Sequence, residues 1–210
     1  CVGVLGFCQA QKINLGKAAS AVSKGAQALA FSNEDAKKLS KESVEWMDKH
    51  NPVTDSKSPY TKRLNRLFGK HKSEDGLDLN YKVYHVIDIN AFACADGSVR
   101  VFSSLMDLMT DDELLAIIGH EIGHVKNEDT KDAVKSAYMR AAAQDAAGAA
   151  SGAVRALSDT ELGEMANAML DAKHSKKQES QADEYAYNFM KKHGYNVVAV
   201  YTAFKKMALL

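Results

Sequence analysis

From residue 32 onward the chain alternates between stretches with apolar residues every three or four positions and one central stretch of extended texture. Ser32-Asn33-Glu34-Asp35 opens the first helical stretch like a capping box. Leu39, Val44 and Met47 fall roughly on one face of a helix that runs to about His50 and ends at Asn51-Pro52. Ser58-Pro59 starts a second helix, since proline is tolerated at the first helical position, and Leu64, Leu67 and Phe68 are its apolar stripe. His71 to Asp78 reads as a charged loop. The β-branched and aromatic run Tyr81 to Ile87 then predicts a strand. Asn90 to Cys94 and Ser98 to Phe102 flank Ala95-Asp96-Gly97, the pattern of a hairpin. Helical spacing returns after the capping box Thr110-Asp111-Asp112-Glu113, with Leu114, Ile117, Ile118, Ile122 and Val125. A further helix starts at Ser158-Asp159-Thr160-Glu161, another covers about Lys176 to Lys192 and stops at Gly194, and a last one begins near Val197. No internal repeat interrupts this order. Helices, a small antiparallel sheet, then more helices predict an α+β fold.

Composition narrows the function classes. Lys plus Arg balances Asp plus Glu at 27 each, so no global field draws the chain to nucleic acid or to an acidic membrane. No run of eighteen apolar residues is present, and the Ala/Gly-rich stretch from Ala141 to Leu157 is broken by Gln144, Asp145 and Arg155. Cys1 to Cys8 is apolar, and Cys8-Gln9-Ala10 places small residues as at the cut of a secretory signal peptide. Residues 1–10 are therefore expected to be a signal-peptide remnant or an N-terminal anchor segment, with a lipidated Cys1 or an apolar end docked on the core as alternatives. Three cysteines, two of them in this segment, make no disulfide framework.

His120-Glu121-Ile122-Gly123-His124 is an H-E-x-x-H pattern inside the strongly periodic helix. Four residues bring both imidazoles to one helix face, where they can reach one ion. Glu121, turned about 100° away, is placed to act on a water beside that ion. A tetrahedral catalytic zinc takes a third protein ligand and keeps one position open. A metzincin would put glycine and histidine where this chain has Asn127 and Thr130, which excludes that class. Glu179 and Asp183 share a helix face in Glu179-Ser180-Gln181-Ala182-Asp183. One carboxylate can bind metal while the other accepts a ligand histidine's second N–H. His174, in a Lys-rich segment, reads as a surface residue. His50, His71 and His85 read as structural or solvated, and Cys94 as a buried small hydrophobe. Tyr185, Tyr187, His193 and Tyr195 are each candidates for stabilising an oxyanion.

Asn90-Ala91-Phe92-Ala93, the H-E-x-x-H helix and Glu179-x-x-Ala182-Asp183 together resemble the HtpX and CAAX-prenyl-endopeptidase family of metallopeptidases. The resemblance is strong from about Tyr81 to Leu210 and points to the family's soluble periplasmic branch. It implies a gluzincin-like zincin domain with one zinc per chain on His120, His124 and Glu179, and Glu121 as general base. It places Asp183 behind the first histidine, and Asn90 and Ala91 on an edge strand that pairs with the substrate backbone. On this reading residues 11–78 are an N-terminal helical region packing on a catalytic domain over 79–210. That domain is expected to be short at its C-terminal end, because relatives continue with a His-Pro pair and an arginine. The implied protein is an exported endopeptidase of the bacterial periplasm or envelope, serving quality control by hydrolysing unfolded or misfolded polypeptides. Association with the membrane would be peripheral or through a lipid. The competing expectations are a zinc-binding chaperone or scaffold of the same fold with little turnover, and a helical interaction module without metal.

Overall fold

The computed structural model describes residues 31–144 and 156–209. The expected signal remnant at 1–10 and part of the Ala/Gly-rich stretch lie outside the described residues. Helix α1 (Asn33–His50) begins at the Ser32 capping box and ends where the Asn51 side chain donates to the Met47 carbonyl at 2.9 Å. Helix α2 (Pro59–Phe68) starts under the Ser58 hydroxyl, which accepts the Tyr60 N–H, and buries Leu64, Leu67 and Phe68. The segment expected to be a charged loop is instead a small hairpin, β1 (Ser73–Glu74) and β2 (Leu77–Asp78). Its turn residues Asp75 and Gly76 both have positive φ, 49° and 86°. An Asp-Gly pair is the sequence signal for such a turn; the surrounding charge masks it.

The main sheet is β3 (Asn80–Tyr84), β4 (Ala91–Ala93) and β5 (Ser98–Phe102), in the order β3-β5-β4. The expected hairpin forms: β4 runs antiparallel to β5 with Ala91 opposite Val101 and Ala93 opposite Val99. The sheet as a whole is mixed, not antiparallel, because β3 pairs parallel to β5. After β3 the chain crosses one strand width before turning down β4, and the hairpin then returns β5 into the gap. Strand β3 also stops at Tyr84, short of Ile87, which is 91% exposed. Gly97 (φ 85°) makes the turn, and a Cβ there would run into the Asp78 carbonyl.

Helix α3 (Ser103–Leu108) follows β5 and was not signalled by any cap. Helix α4 (Asp111–Lys126) is the centre of the molecule, buried almost continuously from Glu113 to Val125. Helices α5 (Asp129–Gln144), α6 (Asp159–Leu170), α7 (Lys176–Lys192) and α8 (Val198–Met207) complete the fold, and α4 packs against α7, α8 and β4. Two glycines of α4 permit a close approach to α7. A Cβ on Gly123 would lie 3.0 Å from the Tyr185 side chain and 3.1 Å from Ala182 Cα; one on Gly119 would lie 3.1 Å from Phe189. Small residues at this crossing bring Glu179 and Asp183 of α7 alongside the two histidines. Helix α1 packs on α6, and Asp48 of α1 receives both Nε (2.8 Å) and Nη2 (2.9 Å) of the buried Arg100 on β5. The architecture is the α+β arrangement of helices around a small sheet.

The α4 capping box does a second job. Glu113 accepts from the Thr110 N–H (2.9 Å) and also from Lys206 on α8 (2.6 Å). Burial alone would raise the Glu113 carboxyl, but the Lys206 ammonium and the Thr110 N–H outweigh it and hold the group at about 2. A depressed carboxylate adds stability above its unfolded pKa and loses it as pH falls through the folded value. The α4–α8 tie is therefore complete above about pH 4.5 and lost toward pH 2, worth on the order of 3 kcal/mol at most. Glu113→Gln keeps the cap acceptor and removes the charge. Thermal unfolding should show the variant less stable than wild type at pH 7, with the two converging near pH 2. A constant difference across that range would refute the linkage.

Candidate metal centre and catalytic cleft

His120 and His124 are 6% and 3% exposed on the inner face of α4, with ring centroids 4.7 Å apart and planes at 83°. Each Nδ1 is committed to a carboxylate at 2.9 Å: His120 to Asp183 Oδ1 on α7, and His124 to Asp129 Oδ2 at the start of α5. A carboxylate accepts, so Nδ1 carries the proton in both rings and each Nε2 presents a lone pair. Those two Nε2 atoms face each other at 3.0 Å. Two lone pairs at that distance repel, and a cation between them removes the conflict. Glu179 adds Oε2 at 3.5 Å from His120 Nε2 and Oε1 at 3.9 Å from His124 Nε2. One donor atom from each of the three residues lies within 4.8 Å of the others. Two imidazoles, a carboxylate and a half-exposed side suit a metal site with an open position. Burial, with the neighbouring His124, pushes the His120 imidazole below its ordinary pKa, which favours the neutral form a ligand needs.

Glu121 points elsewhere, toward strand β4, where its carboxyl lies beside the Ala93 backbone. Burial pushes its carboxyl up to about 8, with the Glu179 charge adding to the rise and the Ala93 backbone N–H opposing it. No strand pairs with the outer edge of β4 among the described residues. The Asn90 carbonyl accepts from Phe102 N–H (3.0 Å) and the Cys94 N–H donates to Ser98 (2.9 Å), so those backbone groups serve the hairpin. By the alternation of an antiparallel ladder, Ala91 and Ala93 turn their N–H and C=O outward. That edge lines a cavity of about 250 Å³ whose other walls include His120, Glu121, His124, Glu179, Val134, Met169 and Leu170.

His120, Glu121, His124, Glu179, Asp183, Asn90 and Ala91 thus come together around one cleft. Two neighbours escaped the sequence reading. Asp129 lies just past the end of α4, where Glu128 at φ 62° turns the chain back toward His124. An acidic residue one turn beyond the second histidine was the available signal. His174 is half-buried, not on the open surface: its ring stacks on His124 with centroids 3.9 Å apart and planes at 17°. The lysines around it hid that position. None of the four oxyanion candidates lines the cavity. Tyr185 is bound to Asp75 (2.8 Å), Tyr195 to His71 (2.7 Å), His193 lies beside Glu74, and Tyr187 is exposed. Cys94 is buried as expected, and burial raises its thiol well above the ordinary range, as for an inert core cysteine.

Residues 62–209 match the model of peptidase family M48. Metalloprotease YcaL and metalloprotease LoiP, both of Escherichia coli (strain K12), are each 37% identical to this chain over 185 residues, 88% of this chain and 73% of theirs. Protease HtpX of Actinobacillus pleuropneumoniae serotype 5b (strain L20) is 43% identical over 51 residues, 22% of this chain and 18% of that protein. Among the described residues no helix is long and apolar enough to cross a membrane. The converging donor set and this similarity along nearly the whole chain lead to one assignment: the chain belongs to peptidase family M48, the metal-dependent endopeptidases, and hydrolyses peptide bonds.

Proposed function

We propose that this chain is a zinc endopeptidase acting on unfolded or misfolded polypeptides in the bacterial periplasm or envelope. The observation that carries the reading is the meeting of three elements in one cleft. These are the His120, His124 and Glu179 donor atoms, the partly buried Glu121 carboxyl, and the free edge of β4. The donor set fits zinc, which takes imidazole and carboxylate together. Bound there, zinc supplies a Lewis acid and acidifies water toward neutral pH. Every other step belongs to the chain's own groups. Asp183 and Asp129 fix the tautomer and orientation of the two imidazoles. The outward N–H and C=O of Ala91, and the C=O of Ala93, hold an extended substrate backbone by strand addition, with Asn90 at the rim. An unfolded segment offers its backbone in that form. Glu121 takes a proton from the attacking water and returns it to the leaving amine. The apolar wall of Val134, Met169 and Leu170 receives substrate side chains.

Metal removal tests the reading. Cleavage of a chemically unfolded protein should cease after exhaustive chelation and return on adding zinc, while circular dichroism shows the chain still folded. Undiminished cleavage by the chelated, metal-free protein would eliminate a metal-dependent reaction at this cleft.

A further inference from the structure

A second convergent donor set lies at the far end of α7, built from the hairpin β1–β2 and the segment just after the helix. His71 Nδ1 and His193 Nε2 approach the same oxygen, Glu74 Oε1, at 2.6 and 3.0 Å. One donor atom from each of the three residues lies within 4.8 Å of the others, the same span as at the catalytic cleft. His71 and Glu74 are 1% and 5% exposed, and the two imidazoles meet edge to face with centroids 4.5 Å apart. His193 Nε2 is buried yet makes no hydrogen bond: its contact with Glu74 is close but misaligned. The 3.0 Å separation from Glu74 Oε1 is an ion-pair distance without hydrogen-bond alignment.

The surroundings suit a cation. As the structure stands, His71 Nδ1–H donates to Glu74 Oε1 (2.6 Å) and Nε2 accepts from Tyr195 OH (2.7 Å); an ion taking Nδ1 would move that proton to Nε2, where the Tyr195 oxygen can accept it. Lys192 bonds Glu74 Oε2 (3.1 Å) and leaves Oε1 unclaimed by it, while also reaching Asp75 (3.0 Å). Phe68 and Phe189 pack against the His71 ring and keep bulk water from that side.

We propose that His71, Glu74 and His193 form a second divalent-metal site, suited to zinc, that clamps the β1–β2 hairpin to the C-terminal end of α7. Two imidazoles and one carboxylate are a zinc donor set, and His193, the least buried of the three, is the side of entry and of the open position. The ion ties down the helix that carries Glu179 and Asp183 without touching the cleft.

The test uses the whole chain, stripped with chelator, dialysed against zinc chloride and assayed by elemental analysis, with cobalt(II) absorption as a check on coordination. Wild type should hold two equivalents, His193→Gln one, Glu179→Ala one, and the double variant none. Circular dichroism verifies that each variant is folded, and His71→Gln repeats the test from the hairpin side. One equivalent in wild type, lost in Glu179→Ala, would overturn the second site and leave the catalytic reading intact. Two equivalents that persist in both His193→Gln and His71→Gln would also overturn it. Loss of one equivalent in His193→Gln but none in Glu179→Ala would support this site and sink the other.

Discussion

Replacing Glu179 with alanine should remove one equivalent of zinc from the folded protein and abolish proteolysis with it. The side chain is half-exposed and its removal uncovers no core, so α7 still packs on α4 through Ala182, Ala186 and Phe189. What is lost is the one anionic donor facing His120 Nε2 and His124 Nε2. Two neutral imidazoles alone leave half of a tetrahedral sphere to solvent. The loss should therefore exceed what the supporting carboxylates contribute. Asp183→Asn and Asp129→Asn retain an acceptor for each Nδ1–H and remove only its charge. Each should weaken zinc or slow turnover by roughly ten- to a hundredfold, the usual effect of such partners. Competition against a chelator of known affinity measures all three. Wild-type affinity in Glu179→Ala would show that the third ligand lies elsewhere. Wild-type behaviour in Asp183→Asn would show that the 2.9 Å bond to His120 does not support the metal.

The parts of the fold that were legible in the sequence are those set by local chemistry. Ser32, Ser58, Thr110 and Ser158 cap the helices they were expected to start, and Leu114 to Val125 bury as their spacing predicts. His120 and His124 share a face because four residues make about one helical turn. Legibility ends where contacts depend on distant segments. Nothing near Tyr81 says that β3 pairs parallel to β5, since strand order is decided by where the hairpin returns. His71 and Glu74 look solvated among charged neighbours until Phe189 and Tyr195, more than a hundred residues later, cover them. His174 is disguised in the same way. It lies in the loop before α7 while its partner His124 is on α4, and the surrounding lysines describe only the outer surface.

Glu121→Gln should retain zinc, fold normally and lose turnover by about two to four orders of magnitude, the range for a lost general base. Glutamine has the same length and shape and still offers an oxygen to the Ala93 backbone, so the packing against β4 survives. What disappears is the capacity to take up a proton. Burial and the Glu179 charge push the Glu121 carboxyl up to about 8, and a divalent ion held on the neighbouring Nε2 atoms would lower it. A general base works best when its pKa lies near the operating pH, where it can both accept a proton from water and pass it on. Among the described residues, no other carboxylate is placed to duplicate it. The Asp183 and Asp129 carboxylates are engaged by Nδ1 donors, and Glu179 faces the Nε2 pair. Single-turnover cleavage of an unfolded protein, with bound zinc quantified in parallel, separates the possibilities. A scaffold of this fold would show equal retention of unfolded polypeptide and no cleavage by either protein. Cleavage by the zinc-loaded Gln variant at near wild-type rate would remove Glu121 from the role of base and leave the water's proton to another group.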